Sequence, residues 1–136
     1  KSDVTKNTTY CQAQLWARDN TPEGSSFILV QTSDSLAWRG LTKRQVINII
    51  PIGQIYKATS IVEEYNKKLS TFWNTHKTIK VDDQTDYKDL NTTDWQQFAR
   101  EFGGDYIVRV SNWPKLELPV VYRNRDFVIY QIPKPR

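Results

Sequence analysis

At 136 residues, the chain has the length of one domain that buries roughly two thirds of its unfolded surface, so it needs no covalent or metal staple to fold. Its single cysteine, Cys11, excludes an internal disulfide, and no run approaches the roughly 18 apolar residues of a membrane-spanning helix. The net charge of +4, from 19 basic and 15 acidic side chains, does not by itself call for a polyanionic partner.

Residues 5–19 read as a helix. Cys11 and Leu15 lie four apart, and Ala13, Trp16 and Ala17 widen the apolar stripe. A lone Cys11 on such a stripe is expected to be a small buried apolar residue rather than a nucleophile. Pro22 disfavours the α conformation at Thr21 and Gly24 permits a turn, so the helix ends there. Residues 26–31 contain Phe27, Ile28, Leu29 and Val30 in succession, the pattern of a strand covered on both faces. Residues 33–44 are polar and basic around Leu36, Ala37, Trp38 and Leu41, and are expected to form a loop.

The β-branched run 46–50 reads as a second buried strand, closed by Pro51 and Gly53. Residues 54–73 form the longest helix expected, with Ile55, Ala58, Ile61, Val62, Tyr65 and Leu69 at spacings of three and four. Glu63–Lys67 and Glu64–Lys68 support its wet face. Residues 74–92 are polar and weakly patterned, a long loop with room for a short strand at 78–81. A capping box, Thr93 with Gln96, is expected to open the next helix, with Asp94 favouring the positive end of its dipole. Trp95, Phe98, Ala99 and Phe102 face inward, and Gly103–Gly104 supplies a left-handed C-cap. Residues 106–110 are a strand, and 119–122 and 127–132 a hairpin around Asn124, Arg125 and Asp126.

This order predicts an α/β domain: a Rossmann-like sheet of about five mostly buried strands, in two or three layers, with three helices and a C-terminal antiparallel hairpin. The dinucleotide and P-loop glycine patterns are both missing from the sequence. His76 is the only histidine and is expected to be a solvated loop residue. One Cys and one His do not make up the common structural zinc sets. Asp82, Asp83 and Asp86 lack the spacing of a calcium loop. No catalytic residue, metal ligand or cofactor is therefore assigned. Asn7 and Asn91 each open an N-x-T sequon, relevant only where the domain meets a glycosylating compartment.

Trp16, Trp73 and Trp95 sit on apolar helical faces and are expected in the core. Trp38, with Arg39, Lys43 and Arg44, forms an aromatic-basic cluster between two strands. An indole can stack on a sugar while a guanidinium holds an anion, so these four are the first candidate for ligand contact. A second basic-aromatic surface is Arg109, Trp113, Arg123 and Arg125, in a C-terminal region that carries the whole charge excess. Interleaved with Lys115, Tyr122 and Tyr130, these residues also admit a single-stranded nucleic-acid-binding module. A small enzyme using carboxylates is a third reading, with no particular pair of acids marked for it.

Several short motifs recur in a familiar order. They are Trp16-Ala17-Arg18-Asp19-Asn20-Thr21-Pro22, then Trp38-Arg39, then Phe98 to Val108 ending in Gly-x-Asp-Tyr-Ile-Val, and last Leu118-Pro119-Val120-Val121-Tyr122-Arg123-Asn124 followed by Phe127 to Tyr130. Together they resemble the C-terminal soluble domain of bacterial multi-pass membrane proteins related to the GT-C (mannosyl- and oligosaccharyl-transferase-like) glycosyltransferases. Residues 74–92 match nothing in that pattern. The resemblance implies that the catalytic acid lies between membrane helices upstream of Lys1. Residues 1–136 would then be an accessory, non-catalytic domain on the extracytoplasmic side, attached to the membrane through the rest of its chain. Its expected partners are that transmembrane portion and a glycan, lipid-linked sugar or partner protein, with nucleic acid not expected. A chain that begins at Lys1 and holds no methionine fits a piece of a longer protein.

Overall fold

The computed structural model describes residues 2–29, 35–47, 49, 60–76, 87 and 89–134. They form a mixed α/β structure of four helices and a five-stranded mixed sheet. The helices are α1 (Ser2–Asn20), α2 (Ser35–Thr42), α3 (Ser60–His76) and α4 (Thr92–Phe102). The strands are β1 (Ser26–Leu29), β2 (Gln45–Ile47), β3 (Tyr106–Val110), β4 (Val120–Arg123) and β5 (Phe127–Gln131), in the order β2-β1-β3-β5-β4. β1 runs parallel to both β2 and β3, with Phe27 opposite Val46 and Tyr106. β5 is antiparallel to β3 and to β4, with an irregularity in β4 between Val120 and Tyr122.

Successive side chains of a strand point to opposite faces, and in β1, β3 and β5 both sets are buried. Phe27, Leu29, Tyr106, Val108, Phe127 and Ile129 pack with Ala13 and Ala17 of α1 and Trp38 of α2. Ile28, Ile107, Val128 and Tyr130 pack in a separate cluster with Leu69, Phe72 and Trp73 of α3 and Trp95 and Phe98 of α4. The second cluster is dense in rings: Trp73 stacks on Phe98 at 5.4 Å and meets Trp95 edge-on at 5.8 Å. Its buried indole N–H donates to the Ile49 carbonyl at 2.8 Å, which satisfies the one polar atom of that side chain.

Four local expectations are corrected. Residues 35–42, expected in a loop, are helix α2. It supplies the crossover that parallel strands β1 and β2 require, and ends at Lys43, whose φ of 57° is left-handed. Residues 74–76 extend α3 instead of starting a loop, while the short strand considered at 78–81 lies outside the described residues. The α1 stripe is turned: Cys11 is exposed and Leu15 is 36% exposed, whereas Thr9, Ala13, Gln14 and Ala17 are buried. Tyr10 sets that rotation by packing on both Trp38 (5.6 Å) and Phe127 (5.2 Å). The capping box of α4 sits two residues earlier than Thr93–Gln96. Asn91 Oδ1 accepts from Asp94 N at 2.9 Å, and Asp94 Oδ2 accepts from Asn91 N at 3.0 Å. Asparagine caps at least as well as threonine, and Thr92 Oγ1 is engaged elsewhere, accepting from Glu117 N at 2.7 Å.

At the other end of α4, Gly103 N donates to Ala99 O at 2.8 Å. Gly103 has φ 94° and ψ 173°, so the cap has the positive φ that favours glycine but not the ψ of a left-handed helical residue. Gly104 has φ 133°, and a Cβ there would lie 2.6 Å from Ile28 Cδ1. The absence of a side chain is what lets the α4–β3 turn close on β1. Gly104→Ala is expected to lower stability by about 2–4 kcal/mol through overpacking and backbone strain. Gly24→Ala meets no atom within 4 Å but keeps a φ of 93°, and should lose only about 1–2 kcal/mol. Urea midpoints of the two variants check the ordering.

Candidate functional site

The first predicted cluster does not assemble. Trp38 is fully buried in α2, packed on Phe27 at 5.2 Å, so its indole is core and not a stacking platform. Arg44, 7% exposed, is a clamp on backbone. Its Nε donates to Thr21 Oγ1 (3.1 Å), Nη1 to Thr42 O (3.0 Å), and Nη2 to Arg18 O (2.9 Å) and Thr21 O (2.6 Å). Those acceptors belong to the ends of α1 and α2, where helices leave carbonyls unpaired and where a cation is favoured. Arg39 and Lys43 alone are exposed.

The second surface is also broken up. Arg109 is completely buried, because β3 is covered on both faces. Its Nη2 donates to Pro114 O at 3.1 Å, and its guanidinium lies 5.1 Å from the Trp113 ring centroid. Burial pushes its pKa below the usual arginine range, while Tyr130 and Asp89 act in the opposite direction. Trp113 is half-buried, and Arg123 and Arg125 are exposed, with Arg125 3.7 Å from Asp126. Tyr130 is buried and Tyr122 stacks on Trp16 at 5.4 Å. Bases and aromatics that alternate in sequence thus fall on both sides of the sheet and do not form one stripe. The side chain of His76 and residues 82–86 lie outside the described residues. Among the described residues no group of three His, Cys, Asp or Glu could hold a metal.

The structure offers a different site. A cavity of about 650 Å³ opens beside the end of α4, between that helix and residues 132–134. Its centre is Asp105, immediately before β3. Asp105 Oδ2 accepts from Ser26 N (3.0 Å) and Ser26 Oγ (3.4 Å), and Oδ1 lies 3.3 Å from Lys134 Nζ. The Asp105 backbone donates to Ser26 O (2.9 Å) and accepts from Ile132 N (2.8 Å). One residue therefore ties the ends of β1, β3 and β5 together at the floor of the groove. Gln96 and Arg100 of α4, its capping Gly103, and Pro133 and Lys134 also line it. A smaller cavity of about 380 Å³ adjoins it and shares Asp105 and Lys134.

The groove lies at the amino ends of β1 and β3, whereas α/β sheets usually bind ligands at the carboxyl ends. The carboxyl ends of β1 and β2 run into residues outside the described ones. Sequence reasoning missed the groove because its polar residues, Ser26, Gln96 with Arg100, Asp105 and Lys134, come from four separate segments. The only local signal was Asp105 after Gly103–Gly104.

No family model, curated protein or solved structure matches this chain. Among the described residues no helix is long and apolar enough to cross a membrane.

These contacts separate structural from surface basic residues. Arg44→Met is expected to lose about 3–5 kcal/mol, as it strips a buried clamp from backbone carbonyls. Arg39→Ala and Lys43→Ala should stay within about 0.5 kcal/mol of the parent. Chemical denaturation of the three variants checks this.

Proposed function

We propose that this domain is a non-catalytic accessory module of a multi-pass membrane protein of the GT-C-like glycosyltransferase kind. In this reading it sits on the extracytoplasmic side, against the transmembrane portion of its own chain, and contacts a glycan, a lipid-linked sugar or a partner protein. The observation that carries the reading is the use made of the polar residues in the recurring motifs. Thr21 donates to Ala17 O at 2.6 Å and receives Arg44. Asp105 ties three strand ends. Asn124 Oδ1 accepts from Asp126 N (3.0 Å) and Phe127 N (2.9 Å), and its Nδ2 donates to Thr9 O (2.8 Å). These three motif residues hold separate stretches of backbone in place, a use that supports a scaffold role rather than a reacting centre.

The finer architecture belongs to the same proposal: a Rossmann-like layering with a C-terminal hairpin. What supports it is the pair of core clusters on opposite sides of β1, β3 and β5, together with the antiparallel pairing of β4 and β5 across residues 124–126.

The test is an amide chemical-shift titration of the 136-residue chain with a mannose oligosaccharide and with a short-chain isoprenyl phosphate. Saturable shifts at millimolar ligand with no turnover of the sugar are expected, and Arg39 and Lys43 on the exposed end of α2 are the first positions to watch. Glycosyl transfer or hydrolysis by this chain alone refutes the non-catalytic reading. An unperturbed spectrum with both ligands refutes glycan contact and leaves a protein partner as the remaining form of the proposal, to be sought by cross-linking from Lys43.

A further inference from the structure

The groove at the end of α4 has its own chemistry, separate from Arg39 and Lys43, since no residue of α2 lines it. Its volume of about 650 Å³ falls within the roughly 300–1,000 Å³ of small-molecule sites. Gln96 and Arg100 are one helical turn apart, so they stand on the same face of α4. Arg100 is exposed and forms no ion pair among the described residues. Lys134 lines the same groove, with its side chain 81% exposed while its head lies 3.3 Å from Asp105. Ala99, Ile132 and Pro133 supply apolar wall between the polar groups.

Charge and apolar lining together point to the class of ligand. Two cations, Arg100 and Lys134, face one carboxylate, Asp105, which leaves a single positive charge in the groove. The carboxyl end of α4 adds the negative end of a helix dipole. A small anion with an apolar body suits this modest positive charge, because inorganic phosphate has nothing to offer the wall of Ala99, Ile132 and Pro133. A planar guanidinium fork also fits a carboxylate through two parallel hydrogen bonds. We propose that this groove binds a small carboxylate-bearing molecule. Arg100 receives the carboxylate, Lys134 provides the second cation, Gln96 adds an amide donor, and the apolar wall packs against the body. The carboxylate can come from an acidic sugar or from an amino-acid derivative, and the two bodies differ in how much apolar surface they offer to Ile132 and Pro133.

The experiment is an amide chemical-shift titration of the 136-residue chain with four probes: glucuronate, N-acetyl-leucine, methyl glucoside and inorganic phosphate as its dianion. At least one carboxylate is expected to shift the Gly103 and Gly104 amides saturably at millimolar concentration. Whichever of the two binds more tightly identifies the body. Arg100→Gln and Lys134→Gln should each weaken it about fivefold, the scale of one exposed charged contact, with the remaining spectrum unchanged because both side chains are exposed. The proposal is overturned if neither carboxylate binds, if methyl glucoside or phosphate binds as tightly, or if both variants retain parent affinity. A binding carboxylate whose shifts do not involve Gly40 or Lys43 also separates this result from the glycan titration above.

Discussion

Burial of the sheet on both faces is the constraint from which the rest of the structure follows. In β1, β3 and β5 almost every side chain is inside, whichever way it points. Such a sheet is stable only if apolar surface covers each side, and the two core clusters do this with different means. On one side two alanines, Ala13 and Ala17, let α1 come close, and Trp38 fills the space beside it. On the other a block of large rings from α3 and α4 does the filling. Gly104 belongs to the same constraint, since the chain must pass close to Ile28 to enter β3.

Two-sided burial leaves the backbone at the sheet ends and helix ends short of partners, and the polar side chains meet that need. Arg44 satisfies carbonyls at the ends of α1 and α2. Asp105 binds Ser26, Asp94 closes the start of α4, and Asn124 organises the β4–β5 turn. Net hydrogen-bond energies are modest, but an unmade bond at a buried carbonyl carries its full desolvation penalty. These residues therefore matter through what would be stranded without them.

The same logic separates the surfaces. Residues drawn into the core or into the clamps cannot also grip a ligand, which removes Trp38, Arg44 and Arg109 from the binding candidates. Arg100 and Lys134 remain because they project past the last backbone groups into a groove whose floor is already satisfied by Asp105 and Ser26. In the proposed binding mode an added carboxylate meets Arg100 and the exposed Lys134, whose amine also contacts Asp105.

What was legible in the sequence was local. The successive apolar residues Phe27, Ile28 and Leu29, the Tyr106 run and the Phe127 run reported strands because burial on both faces leaves no room for alternation. The Trp95, Phe98 and Phe102 spacing reported α4 because a helix brings residues three and four apart onto one side. Less could be read where polarity and periodicity disagreed. The stretch around Trp38 looked like a loop because polar and basic residues surround that buried indole in the sequence, and α1 was read a few residues out of phase because Cys11 and Leu15 are apolar but face water. By itself the sequence determined an α/β domain and the approximate places of its strands. Only the tertiary structure decided which charges are buried and which are free, because that depends on segments far apart in the chain meeting at one edge of the sheet, as Ser26, Asp105 and Lys134 do.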